Sequence, residues 1–305
     1  MTKDIESDIR KLTIGRLRSV MLFAGLWVAF VANIVADRIP EVFNKGAIGF
    51  VFLRDTNGSF IPNGTCFFVG VSNTNRTFCH LVTAKHVLQD TNKSFFSQVF
   101  VRLNKPGGGT EFAVVPLNNG PFRVFTHQNP GVDLAVIPVP PKIVSRHQIQ
   151  MIPSDLIATT NHIRNLKIRE GDEMFFMGLF TPFIGAQANI PIVRFGRLSM
   201  LTDELIPMGS DGPQHFYFME TQVFGGNSGS PVFFYFDQFR NPNDTQLLLA
   251  GVVYGYFPND APIIFAESRM VPLSRGNTGI ALVTPGYLIN EILFSDELKK
   301  LRGEN

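Results

Sequence analysis

From Phe43 onward the chain is a succession of short apolar runs, broken by clusters of Gly, Asn, Pro and Asp at intervals of roughly 8 to 15 residues. Runs this short cannot supply the face of a long helix. Turns this frequent fold the chain back on itself, so the pattern commits the region to an antiparallel barrel or sandwich. The expected strands are 48–53, 65–71, 78–84, 98–103, 112–116, 134–139, 173–178, 192–198, 216–221, 231–236, 247–256 and 280–283. Phenylalanine points the same way. There are 30 copies against five Tyr and one Trp, many in runs with Val such as Phe50-Val51-Phe52 and Val232-Phe233-Phe234. Aromatic and β-branched neighbours of this kind suit a pleated, half-buried surface. Two stretches interrupt the series. Residues 154–163 read as a short helix. In 285–301, Tyr287, Leu288, Ile289, Ile292, Leu293 and Leu298 recur at near-helical spacing and predict a C-terminal helix packed on the barrel.

The hydrophobic share of 45% over 305 residues provides a full core for residues 43–305. A formal net charge of +2, from 27 basic and 25 acidic residues, leaves no sizeable electrostatic footprint for nucleic acid. The two cysteines, Cys66 and Cys79, flank the turn-like Ser72-Asn73-Thr74-Asn75 and are expected to face one another across a hairpin. That allows either a cross-strand disulfide or two reduced core thiols. A zinc site from Cys79, His80 and His86 is a poor reading, because adjacent strand residues point to opposite faces, and no metal or cofactor is expected.

Residues 1–42 form a separate segment. Val20 to Ala36 is apolar apart from Asn33 and carries no charge. Lys3, Arg10, Lys11, Arg16 and Arg18 precede it, and Arg38 and Lys45 follow. This bias predicts an N-terminus held in the cytoplasm and the remainder exported. As a helix the run would be about 26 Å long, against a roughly 30 Å hydrocarbon core. Its apolar residues cover every side of such a helix rather than one stripe. The expectation is an uncleaved membrane anchor over residues 20–36, the alternative being a signal cleaved near Ala36 and a secreted product.

Three motifs lie in order along the β-rich region: Leu81-Val82-Thr83-Ala84-Lys85-His86-Val87, Gly131-Val132-Asp133-Leu134-Ala135-Val136-Ile137 and Phe224-Gly225-Gly226-Asn227-Ser228-Gly229-Ser230-Pro231. Each alone has an ordinary structural reading. Together they supply what acyl transfer needs. A serine hydroxyl is a weak nucleophile and requires a base in hydrogen-bond reach. Imidazole can take that proton and return it to a leaving amine. A carboxylate on the other ring nitrogen fixes the tautomer and stabilises the imidazolium. Gly226 and Gly229 let the backbone turn sharply around Asn227-Ser228, so that the N–H groups of Gly226 and Ser228 can form an oxyanion hole.

At these residues the chain resembles the chymotrypsin/trypsin-like peptidase family. The likeness lies in the Thr-Ala-x-His, Asp-Leu-Ala and Gly-x-Ser-Gly-x-Pro elements at 83–86, 133–135 and 226–231, and in their order. Gly64-Thr65-Cys66-Phe67-Phe68-Val69 and Ala250-Gly251-Val252-Val253-Tyr254-Gly255 also look like family strands. The resemblance implies an all-β protein of two six-stranded antiparallel β-barrels with the active site between them. It implies a serine endopeptidase acting on polypeptides, with His86, Asp133 and Ser228 as its triad. Gln222, Val253, Tyr254, Gly255 and Tyr256 would border the specificity pocket. No acidic residue stands there, so an uncharged, apolar side chain is the expected preference.

The chain also departs from the pattern. Asn227 stands where digestive members carry an aspartate that pairs with a new N-terminus, so activation by that route is not expected. The chain looks more like the bacterial, HtrA-like branch, here without an accessory peptide-binding domain. Lys85 replaces a small residue and is expected to face solvent. Ser230 replaces a second glycine and requires a negative φ. The rival reading is a catalytically silent protease fold that binds peptides by strand addition.

Overall fold

The computed structural model describes residues 45–304 apart from Asn75, Asn119, 209–211, 237–246 and 263–272. The expected anchor at 20–36 lies outside the described residues. Among the described residues no helix is long and apolar enough to cross a membrane.

The first eight strands are β1 (Ile48–Arg54), β2 (Phe60–Ser72), β3 (Thr77–Thr83), β4 (Gln98–Asn104), β5 (Thr110–Pro116), β6 (Phe125–Thr126), β7 (Ala135–Pro138) and β8 (Ile152–Pro153). They form one sheet in the order β5-β4-β1-β2-β3-β7-β6, with β8 pairing parallel to β2. β9 (Glu173–Gly178) and β10 (Ile192–Leu201) open the second half. The small pair β11 (Ile206–Pro207) and β12 (Pro213–Gln214) follows. β13 (Tyr217–Glu220), β14 (Pro231–Tyr235), β15 (Leu247–Pro262) and β16 (Leu273–Pro285) then complete a closed six-stranded barrel, β10-β13-β16-β15-β14-β9.

The expectation of two closed barrels is therefore met by one of them. In the first sheet the pairing path ends at β5 and β6 among the described residues. β6 is only two residues long and pairs with β7 alone, whereas closure needs strands long enough to carry a continuous tilted ladder. On β5, Ala113 and Val115 are buried while Val114 is 48% exposed, as on an edge strand with one wet face.

The core follows the apolar runs. Phe50, Phe67 and Phe68 are fully buried in the first sheet, and Phe176, Met219, Phe234 and Val253 fill the barrel. Each such side chain contributes about 1.5–3 kcal/mol. The expected C-terminal helix is two, Tyr287–Leu293 and Asp296–Arg302, broken at Phe294-Ser295. Leu288, Ile289, Ile292, Leu293 and Leu298 are all buried. The expected short helix at 154–163 is a 3-10 turn, Ser154–Leu156, followed by a helix Thr160–Asn165 capped by the Thr159 side chain. The helix Pro141–Arg146 begins on a proline whose fixed φ suits a first turn.

The β2–β3 register sets Cys79 opposite Gly70, while Cys66 pairs across β1 with Gly49. The two thiols do not face one another, and both are free and buried. The turn lies further along the chain than the cysteine spacing suggests.

Candidate active site

β3 pairs antiparallel with β7, Thr83 opposite Ala135. Just beyond Thr83 the chain tightens into the 3-10 turn Lys85–Leu88, which carries His86. Asp133 lies two residues before Ala135. The register thus sets both at one end of the same strand pair. Asp133 spends both carboxylate oxygens on His86: Oδ1 accepts from the His86 backbone N–H at 2.9 Å, and Oδ2 lies 2.7 Å from Nδ1. The Asp133 side chain is 7% exposed and the imidazole 44%, so the carboxylate is sheltered and the ring faces the cleft.

Lys85 is half-buried and only partly turned to solvent. The 3-10 turn swings it beneath the neighbouring loop, where Nζ donates to Pro130 O at 2.6 Å and Val132 O at 3.0 Å. Lys85 thereby clips the segment that bears Asp133.

Ser228 lies between β13 and β14 of the barrel, in a turn that Thr65 of β2 holds. The Thr65 N–H donates to Ser228 O at 2.9 Å, and its hydroxyl donates to Gly226 O at 2.8 Å and accepts from Leu179 N at 2.9 Å. Thr83 Oγ1 in turn donates to Thr65 O at 2.7 Å. The strand leading to His86 and the turn bearing Ser228 therefore meet on one buried threonine. Gly226 and Gly229 adopt φ of +94° and +85°, where a Cβ is disfavoured. At Gly229 a Cβ would also lie 2.1 Å from Thr65 O. Ser230 stays out of the left-handed region.

Asn227 is buried and ties the loop both to itself and to the residue that follows β9. Nδ2 donates to Leu179 O at 2.7 Å, and Oδ1 accepts from Phe224 N at 2.9 Å. Among the described residues the N–H groups of Gly226 and Ser228 meet no backbone acceptor. Ser228 Oγ donates to Tyr254 O at 3.1 Å, and the Tyr254 ring packs edge-on to the His86 imidazole, 5.6 Å between centroids. Tyr254 thus joins His86 and Ser228.

Residues 64–235, a span that contains His86, Asp133 and Ser228, match the trypsin-like peptidase domain family. The chain belongs to the trypsin-like peptidase family. Among solved structures, this trypsin-like peptidase is similar to Deg5, with a TM-score of 0.42 and 17% identity over 70% of this chain and 82% of that one. It is also similar to an inactive serine-to-alanine mutant form of Rv3671c from M. tuberculosis H37Rv, with a TM-score of 0.42 and 14% identity over 89% and 98% of the two chains. No curated protein matches it in sequence.

Of the five residues expected around a specificity pocket, Val253 to Tyr256 lie together on β15, beside the Ser228 turn. Gln222 is exposed ahead of the Ser228 turn. Val253 points into the barrel core, and its backbone bonds Gly229 N and Ser230 O. Tyr256 packs against that same core. A Cβ on Gly255 would meet nothing within 4 Å. Tyr254 is the member that touches both His86 and Ser228. Thr65 and Lys85 are the supporting residues that the motifs did not disclose. Thr65 was visible only as part of an apolar strand, and Lys85 only as a departure from a pattern.

Proposed function

We propose that the protein is a serine endopeptidase that hydrolyses peptide bonds through an acyl-enzyme on Ser228. The observation that carries this reading is that both Asp133 carboxylate oxygens are hydrogen-bonded by His86, combined with two N–H groups at the Ser228 turn that have no backbone acceptor. In the proposed reaction, His86 removes the Ser228 proton as the hydroxyl attacks the scissile carbonyl, then returns it to the leaving amine. Asp133 holds the ring with Nδ1–H toward its carboxylate and stabilises the imidazolium. The Gly226 and Ser228 amides receive the oxyanion, a contribution of about 2.7–4 kcal/mol per donor. A cleft between the first sheet and the barrel, and an apolar preference near Gln222 and Tyr254–Tyr256, belong to the same reading.

A catalytically silent, peptide-binding protein draws support from one observation: the Ser228 hydroxyl is engaged by Tyr254 O. A single neutral hydrogen bond of this kind is worth only about 1 kcal/mol net, so rotation toward His86 is inexpensive. A fluorophosphonate probe separates the readings. Covalent labelling of wild type, lost in Ser228→Ala, together with cleavage of an unfolded protein substrate, supports the endopeptidase. Absence of labelling under conditions that modify a control peptidase supports the silent scaffold.

We also propose that residues 20–36 anchor the peptidase to a membrane, with residues 43–305 outside the cytoplasm. The charge bias around that run supports this reading. Carbonate extraction combined with protease accessibility in intact cells tests it. Release of the full-length chain into the soluble fraction would overturn it.

A further inference from the structure

The Asp133 carboxylate takes both of its hydrogen bonds from His86, and among the described residues no other donor bonds it. Its orientation therefore rests on where the backbone holds residue 133. That residue lies just outside the β3–β7 ladder, which stops at Ala135, and closes the loop 127–132. The bonds within the loop are local. Asn129 Oδ1 accepts from Gly131 N at 2.9 Å, and Asn129 O accepts from Val132 N at 3.1 Å. At the far end His127 bonds Glu291 of the C-terminal helix Tyr287–Leu293. None of these ties the loop to the segment that carries His86. Lys85 does, through the Pro130 and Val132 carbonyls, while its own N–H reaches Asp133 O only at 3.4 Å. Bonds from a charged donor are roughly twice as strong as neutral ones. Two adjacent residues thus grip the same loop, Lys85 by its backbone and His86 by its carboxylate.

Resting on the endopeptidase reading, we propose that Lys85 is a positioning residue for acylation. By holding the carbonyls of 130 and 132 it keeps the Asp133 carboxylate in line with His86 Nδ1. Lys85 touches no reacting atom. Without it the loop is free to shift, and the ring loses the partner that fixes Nδ1–H and leaves Nε2 to accept a proton. The effect falls on the proton transfer and not on substrate affinity, so it belongs to kcat and leaves KM in place.

The test compares Lys85→Met, which keeps the length but removes every donor, with Lys85→Arg, which keeps charge and donors. Two readouts are taken: kcat and KM on a quenched peptide, and the low-field proton NMR signal of His86 Nδ1–H. Lys85→Met is expected to lose roughly ten-fold or more in kcat at unchanged KM. Its Nδ1–H signal should broaden through faster exchange with water. Lys85→Arg should recover most of both. If Lys85→Met does not fold, Lys85→Gln, which keeps one neutral donor, decides by the same readouts. A wild-type kcat with an unaltered Nδ1–H signal overturns the inference, as does a loss confined to KM or a Lys85→Arg variant no better than Lys85→Met. If fluorophosphonate fails to label wild type, the endopeptidase reading fails separately. The Nδ1–H signal needs no turnover and still decides whether Lys85 holds Asp133 to His86.

Discussion

The backbone N–H of Thr65 donates to the carbonyl of Ser228 at 2.9 Å, across 163 residues of sequence. The Thr65 hydroxyl holds the Gly226 carbonyl and the Leu179 N–H as well. One buried side chain of the first sheet therefore sets the path of the turn that presents Ser228 and the two amides beside it.

Thr65→Val keeps the shape of the residue and deletes its hydroxyl. Two buried groups, Gly226 O and Leu179 N, then lose their partner. Stability should fall by about 1–3 kcal/mol by urea denaturation. The fluorophosphonate labelling rate should drop by roughly ten-fold or more, as the amides at 226 and 228 lose their fixed orientation.

Asn227 serves as donor to Leu179 O and acceptor from Phe224 N, so it locks the loop without any ion pair. In N227D the oxygen facing Leu179 O has no hydrogen to give, and the buried carboxyl is driven toward its protonated form. Its folded pKa is raised, so the stability of the variant is retained at low pH and lost as pH rises through that value. We expect N227D to trail wild type by about 2–4 kcal/mol at pH 8 and by much less at pH 5. Denaturation curves of both proteins at the two pH values provide the check.

Burial, together with the nearby Arg302 guanidinium, pulls His80 down to about 4. An unfolded histidine titrates near 6.5. Between these values the unfolded chain takes up a proton that the fold refuses. Stability should therefore be undiminished by this group above pH 6.5 and fall by about 3 kcal/mol as pH drops to 4. His80→Leu should flatten that slope in a series of denaturation curves between pH 7 and pH 4. An unchanged slope would show that other groups carry it.

Much of this was legible in the residues alone. Thr83, Ala84 and His86 end a strand and Asp133 opens one, and antiparallel pairing of two such strands brings the residues together. What stayed hidden depends on geometry that short patterns do not encode. Short apolar runs reveal the longer strands, yet whether the path closes rests on strand length, and the two residues of β6 are too few to be seen as a strand. Lys85 lies just past the expected strand 78–84, and the 3-10 turn that redirects it leaves no mark in the apolar pattern. The reach of Thr65 to Ser228 is a product of tertiary packing, which the strand-like stretch 64–69 does not announce.

The offset of Cys79 from Cys66 has a consequence beyond the hairpin. Burial pushes the Cys79 thiol up to about 12 and raises Cys66 as well, so neither ionises near neutrality while the chain is folded. The thiolate is the form that reacts with alkylating reagents. Iodoacetamide uptake at neutral pH thus becomes an intrinsic clock of how often the first sheet opens. Because no covalent crosslink depends on oxidant, that clock keeps the same time in a reducing compartment as in an oxidising one.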